Sequence, residues 1–94
     1  MEKYKDFEEN VLRAIVMLIV KARGNMVTFT PKQLAKKAGV STRPTYLSVV
    51  RYILEELREK GLVELWKKTY HGYRYAITSE SPLWQEVKQK YKKE

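Results

Sequence analysis

Residues 14–20 (AIVMLIV) are seven consecutive apolar residues inside a stretch with helical spacing. Apolar side chains at Val11, Ile15 and Leu18 recur every three or four residues, and the pattern predicts a helix over residues 5–23. A helix that is apolar all round needs burial all round. In a chain of 94 residues, which forms a single domain, two arrangements provide that burial. Either the rest of the chain wraps a central core helix, or a second copy of the chain covers the open face.

The second arrangement is the favoured interpretation, because a domain this small has few elements with which to surround a helix. It predicts a homodimer joined through residues 7–22 and helped by the apolar stripe of a last helix, residues 82–92. The residues predicted to form the dimer interface are Phe7, Val11, Ala14, Ile15, Leu18, Ile19, Trp84, Val87 and Tyr91.

Glycine and proline residues divide the rest of the chain into short elements. Thr30, Pro31 and Gln33 form a helix start in which the threonine caps and the glutamine completes a capping box. The predicted elements after the first helix are a strand at 26–29, a helix at 31–38, a longer helix at 43–60, a β-hairpin at 62–78 and a helix at 82–92. Tyr46 is predicted to lie in the core.

His71 and Gly72 fit a tight turn between the two strands of the hairpin. With that turn, Tyr70 pairs with Tyr73 across the hairpin. Three residues then share the face toward the core: Trp66, Tyr75 and Ile77. Three others share the opposite face: Lys67, Thr69 and Arg74.

A family resemblance rests on five short segments: Leu34-Ala35, Ala38-Gly39-Val40-Ser41, Leu57, Gly61-Leu62-Val63 and Tyr75-Ala76-Ile77-Thr78. In these segments the chain resembles the winged helix-turn-helix transcription regulators, and the MarR-like regulators and the small winged-helix proteins of archaea and their viruses are closest in layout. The resemblance spans about residues 7–92. It implies a mostly helical α+β fold with a long N-terminal helix, a β-hairpin wing and a C-terminal helix. It also implies that helix 43–60 enters the major groove and that the wing touches the backbone or the minor groove.

The charge distribution agrees with an anionic partner. The formal net charge is +8, and residues 31–79 carry ten basic and four acidic side chains. The first half of helix 43–60 offers arginine, hydroxyl and tyrosine side chains, whereas its second half carries three glutamates that repel DNA. The residues predicted to contact double-stranded DNA are Thr30, Lys32, Gln33, Ser41, Thr42, Arg43, Thr45, Ser48, Arg51, Tyr52, Lys67, Lys68, His71 and Arg74.

These contacts divide by chemistry. Arg43 and Arg51 can fork onto guanine, Arg74 suits a narrow minor groove, and Lys67 and Lys68 suit phosphates. The hypothesis is a sequence-specific transcriptional regulator, with repression as its simplest mode of action and any effector left open. Two alternatives remain: a winged-helix module that binds protein, and a sequence-neutral chromatin protein.

Catalysis has little support in this sequence. The chain has no cysteine, one histidine and no glycine-rich phosphate loop, so neither an enzyme nor a metal or cofactor site is predicted. No stretch is typical of a signal peptide or a membrane helix, which predicts a cytoplasmic, nucleoid-associated protein, or one in the host cytoplasm if the chain is viral. Thirteen lysines against six arginines are typical of a thermophile.

Overall fold

The computed structural model describes residues 4–70 and 72–91. It contains four helices and a three-stranded antiparallel sheet, which confirms a mostly helical α+β fold. The elements are α1 (Tyr4–Lys21), β1 (Met26–Phe29), α2 (Pro31–Ala38), α3 (Pro44–Glu59), β2 (Glu64–Thr69), β3 (Gly72–Thr78) and α4 (Pro82–Lys90). No helix in the described ranges has the length and apolar content to cross a membrane.

Helix α1 lies at the centre of the molecule and packs against α2, α3 and α4. Of residues 14–20, only Met17 is classed as exposed, at 39%. A single chain therefore covers almost the whole circumference of α1. This is the arrangement in which the rest of the chain wraps a central core helix, and not the one in which a second copy covers its open face.

Most of the predicted dimer interface is buried within a single chain. Seven of its nine residues face the core of their own chain and present no surface to a second copy: Phe7, Val11, Ala14, Ile15, Ile19, Trp84 and Val87. Leu18 is partly buried against the same core, and Tyr91 is half exposed. The sequence interpretation underestimated how much of α1 three short helices can cover.

The ends of α2 and α3 follow from local sequence. The Thr30 hydroxyl accepts from the Gln33 N–H, and the Gln33 side chain accepts from the Thr30 N–H, both at 3.1 Å, which is the predicted capping box. Gly39 closes α2 in the left-handed conformation, with φ 75°. Pro44 opens α3 at its first turn. Tyr46 is not in the core as predicted: it is 42% exposed and stacks on Phe7, with ring centroids 6.0 Å apart.

Strand β3 is the central strand of the sheet, with β1 and β2 on its two sides. Tyr75 and Ile77 on its inner face are fully buried in the core. Phe29, opposite Tyr75 on β1, stacks on its ring at 6.5 Å between centroids. The inner face of the sheet is thereby fixed against the helices.

The hairpin register differs from the predicted one. Thr69 lies opposite Gly72, so Gly72 already belongs to β3 and is not part of a His71-Gly72 turn. Gly72 adopts φ 124° as the first residue of β3, so the glycine is used just after the turn and not within it. Tyr70 therefore does not pair with Tyr73.

A second difference lies further down β2, where the pairing is irregular between Leu65 and Lys67. The extra residue is Trp66, so Leu65 lies opposite Tyr75. Trp66 is 49% exposed instead of facing the core. A one-residue insertion moves a side chain to the other face of a strand, and this accounts for the wrong prediction.

Candidate nucleic-acid interface

An open groove of about 710 Å³ lies between the start of α2, the first half of α3 and the tip of the β2–β3 hairpin. We call it the basic groove, because three cationic side chains line it. Its lining residues are Thr30, Pro31, Lys32, Pro44, Leu47, Ser48, Arg51, Lys68, Tyr70, Gly72 and Tyr73. Three segments far apart in sequence thus build one surface.

Five of the residues predicted to contact DNA line this groove: Thr30, Lys32, Ser48, Arg51 and Lys68. Others lie near it without lining it: Gln33 in the capping box of α2, the exposed Thr45 of α3, and Ser41, Thr42 and Arg43 in the segment before α3. The Ser41 hydroxyl accepts from the Arg43 N–H at 3.1 Å and orders that segment. His71 lies outside the described residues.

Lys67 and Arg74 do not reach the basic groove. They lie opposite each other in the register, on the face of the sheet away from Tyr73 and Tyr75, because successive side chains alternate between faces. The Arg74 guanidinium donates to the Thr28 hydroxyl at 3.3 Å and is partly buried. The two sides of the hairpin therefore carry separate basic surfaces.

Arg51 and Lys68 meet on the ring of Tyr73. The guanidinium carbon of Arg51 lies 4.7 Å from the ring centroid, and the ammonium nitrogen of Lys68 lies 5.7 Å from it. At these distances the ring attracts both cations. Sequence reasoning placed Tyr73 only in a cross-strand tyrosine pair, so this link between α3 and the hairpin was missed.

A partly buried hydrogen bond also links α3 to the sheet. The hydroxyl of Tyr75 donates to a carboxylate oxygen of Glu55 at 2.6 Å, and Arg58 donates to the other oxygen at 2.8 Å. Burial, together with the Glu55 carboxylate, raises the pKa of Tyr75 to about 12. The hydrogen bond from Arg58, followed by that from Tyr75, lowers the pKa of Glu55. Glu55 was predicted only as a surface charge, and it instead joins α3 to the sheet.

The stability of the fold should therefore fall in alkali through Tyr75. The folded chain holds this phenol neutral up to about pH 12, whereas an unfolded tyrosine ionises near its ordinary pKa of 10.0. The contribution of the neutral Tyr75 phenol to the free energy of unfolding is thus fully present below about pH 10 and is lost as the pH rises toward 12. Urea unfolding of the wild type and of Tyr75→Phe measures it. We expect Tyr75→Phe to cost about 1–3 kcal/mol near pH 8, with the difference shrinking above pH 10.

The comparison with Tyr75→Phe removes the effect of the other tyrosines, which both proteins share. A difference in unfolding free energy that stays constant from pH 8 to pH 12 would contradict the assignment. The difference in phenolate ultraviolet absorbance between the wild type and Tyr75→Phe, which leaves the other six of the seven tyrosines in common, reports when Tyr75 ionises.

The second half of α3 has the opposite electrostatic character. A hydrogen bond to Glu56 is the largest cause that raises the pKa of Tyr52, and the charge of Glu59 adds to it. Tyr52 was predicted to contact DNA, but its hydroxyl is directed to a carboxylate outside the basic groove. Helix α3 is thus basic beside the groove and acidic beyond it.

No protein-family model matches this chain, and neither a curated protein nor a solved structure does so. Within the described ranges, no three histidine, cysteine, aspartate or glutamate side chains are grouped so that they could hold a metal ion.

Proposed function

We propose that this chain is a winged helix-turn-helix protein that binds double-stranded DNA and regulates transcription. In this proposal α3 is the recognition helix and the β2–β3 hairpin is the wing. The observation that carries it is the basic groove, in which the start of α2, the first half of α3 and the hairpin tip present cations on one surface. A recognition helix reads bases with its N-terminal residues, and this is the half of α3 that borders the groove.

The groove offers groups for both kinds of DNA contact. Lys32 and Lys68 are exposed and can neutralise phosphates, which supplies affinity without reading sequence. The Ser48 hydroxyl donates to the Pro44 carbonyl at 3.1 Å, so its oxygen is left to accept a hydrogen bond from a base amino group. Thr45 is exposed one turn earlier and adds a second hydroxyl.

The polarity of α3 supports insertion by its first turns. Glu56 and Glu59 on the second half would repel the phosphate backbone of a duplex lying along the whole helix. A duplex seated at the groove end of α3 avoids that repulsion. The same polarity gives the complex a fixed orientation, because only one end of the recognition helix is compatible with DNA.

We also propose that the protein acts as a homodimer, with an interface different from the predicted one. Val16, Met17 and Val20 form a partly exposed apolar strip on the outer side of α1, and Tyr91 lies exposed after α4. Two recognition helices related by a two-fold axis would bind a pseudo-palindromic site with half-sites about one helical turn apart. Repression by occupying such a site is the simplest mode of action.

One observation favours a second candidate, a sequence-neutral chromatin protein. Arg51, the residue best suited to read guanine, is stacked on Tyr73 at 4.7 Å. A guanidinium held in this way strengthens the positive field of the groove, but it is less free to fork onto a base edge. In that case the groove would bind the backbone of any duplex.

Selection from a pool of randomised duplex DNA at increasing salt separates the two candidates. For a regulator, we expect enrichment of a pseudo-palindromic motif that survives at roughly 150–200 mM salt, where phosphate contacts alone weaken steeply. Retention at low salt without enrichment would favour the chromatin protein. If no duplex is retained even at low salt, the DNA-binding proposal is wrong, and the exposed strip of α1 becomes the surface on which to search for a protein partner.

A further inference from the structure

Trp66 is an exposed aromatic side chain on the edge strand β2, outside the basic groove. It is the extra residue of the bulge, and 49% of it is exposed. It directly precedes Lys67, which lies opposite Arg74 on the face of the sheet away from the core. We call Trp66, Lys67 and Arg74, together with Thr28 beside Arg74, the outer surface. An aromatic ring and two cations are thus neighbours on a face that the proposed function does not use.

Burial in the core does not account for a tryptophan at this position. The other tryptophan of the chain, Trp84, is 5% exposed and belongs to the core, whereas the insertion in β2 turns Trp66 away from it. Edge strands are usually protected by charged side chains, proline or bulges and not by large aromatic rings. The identity of Trp66 is therefore better explained by a contact outside its own chain.

The two cations of the outer surface lie opposite each other on adjacent strands, and like charges in that position repel. In the part of the chain that the structure describes, neither Lys67 nor Arg74 forms a salt bridge with a carboxylate. The Arg74 guanidinium donates to the Thr28 hydroxyl on β1 at 3.3 Å. This bond fixes its position, and a guanidinium has further N–H donors for a phosphate. A bound anion would relieve the repulsion between the two cations.

The combination of ring and cations indicates a single-stranded nucleic acid. Cations beside an aromatic ring hold the phosphates of such a strand while an unpaired base stacks on the ring. A paired duplex offers phosphates but keeps its bases within its own stack, so it would gain nothing from the indole. We propose that the outer surface is a second nucleic-acid site, which binds single-stranded DNA or RNA by stacking on Trp66 and by phosphate contacts to Lys67 and Arg74.

This second site goes beyond the proposed function, because it does not overlap the basic groove. Lys68 lines the groove, whereas Lys67, one residue before it, lies on the opposite face of the hairpin. One molecule can therefore hold a duplex in the groove and a single strand on the outer surface at the same time. Since every base has a face on which to stack, the second site should accept strands of different sequence.

The test adds oligothymidine or oligouridine of about ten nucleotides to the full-length wild type at about 0.1 M salt. Each titration is repeated with an excess of a G·C-rich paired duplex, which occupies the basic groove and cannot pair with either oligonucleotide. Because Trp66 is exposed and Trp84 is buried, quenching of tryptophan fluorescence reports contact with Trp66. We expect quenching that the duplex does not reverse, and the oligonucleotide that binds more tightly identifies the strand as DNA or RNA.

Variants are compared by the fluorescence anisotropy of a labelled oligonucleotide. Trp66→Ala should weaken its binding by about 5-fold to 150-fold, whereas Trp66→Phe should keep most of the affinity. Lys67→Ala should reduce the magnitude of the slope of log affinity against log salt concentration by about 0.7, the value for one contact to a single strand.

Leu65→Ala is the matched control on the same strand. Leu65 is 38% exposed, lies opposite Tyr75 and does not line the groove, so its truncation should change the affinity for the oligonucleotide by about 2-fold or less. Trp66→Ala and Leu65→Ala should both bind the paired duplex as the wild type does. Circular dichroism checks that each variant is folded, and the quenching of the wild type and the slope of Lys67→Ala test the site without Trp66→Ala.

The outcomes separate the second site from the proposed function. Absence of quenching, quenching that the duplex reverses, unchanged affinity in Trp66→Ala or an unchanged slope in Lys67→Ala would overturn the second site and leave duplex binding in the groove intact. A wild type that binds an oligonucleotide at Trp66 but no duplex would overturn the proposed function and leave the second site intact.

Discussion

Affinity for duplex DNA should fall roughly 50-fold at about 0.1 M salt when Lys32 and Lys68 are both replaced by alanine. Both lysines line the basic groove, one on α2 and one on the hairpin, and both are exposed. Each phosphate contact contributes about 0.9 to the slope of log affinity against log salt concentration. Losing two contacts should therefore reduce the magnitude of that slope by about 2, measured by fluorescence anisotropy across a salt series.

The matched control replaces Lys21 and Lys90 by alanine, which removes the same charge from exposed positions away from the groove. Both lie in the last turns of their helices, α1 and α4. Strand β3 runs for seven residues, roughly 20 Å of extended chain, from Gly72 at the groove toward the segment before α4. We expect this control to change the slope little. Equal losses in the two double variants would mean that net charge, and not the groove, binds DNA.

The second large effect concerns the core. Ile15→Ala should lower the free energy of unfolding by about 2–5 kcal/mol, because Ile15 is fully buried on the central helix and the surroundings of a deleted core side chain relax only partly into the space left. Urea unfolding followed by circular dichroism measures this loss. Since the total free energy of unfolding of a small domain is only about 5–15 kcal/mol, the variant should be close to unfolding at elevated temperature.

Met17→Ala is the matched control on the same helix. Met17 is 39% exposed in the single chain, and its truncation should cost less than about 1 kcal/mol at protein concentrations where the chain is monomeric. The loss caused by Ile15→Ala relative to the wild type should also not depend on protein concentration, because the burial of Ile15 is within one chain. A loss relative to the wild type that changes with concentration would instead place Ile15 in an interface between two copies.

Local sequence was sufficient to predict the order of the elements and several of their ends. The capping box of Thr30 and Gln33 and the proline at the start of α3 act within one turn of a helix, so the pattern alone identifies them. The burial of α1 was predicted less well. Whether the other face of an apolar helix meets its own chain or a second copy depends on how α2, α3 and α4 pack, and helical periodicity carries no information about that.

Only part of the candidate site was predicted, because its geometry also depends on contacts between different elements. Lys32, Ser48 and Lys68 were identified by residue type, and the structure brings them to one groove. The roles of Tyr73 and Glu55 were missed because their partners lie on other elements. The bulge at Trp66 was missed because it depends on the register of two strands and leaves no glycine or proline as a signal.

The hydrogen bond from Tyr75 to Glu55 has a mechanical consequence. A hairpin with only two strands is marginally stable and bends easily, but here β3 is also paired with β1, and Tyr75 is tied to α3 at 2.6 Å. Any swing of the hairpin relative to α3 would break that bond and expose a buried phenol. The hairpin and α3 should therefore move as one rigid unit. The width of the basic groove between them is then constant, and a bound molecule has to fit that width.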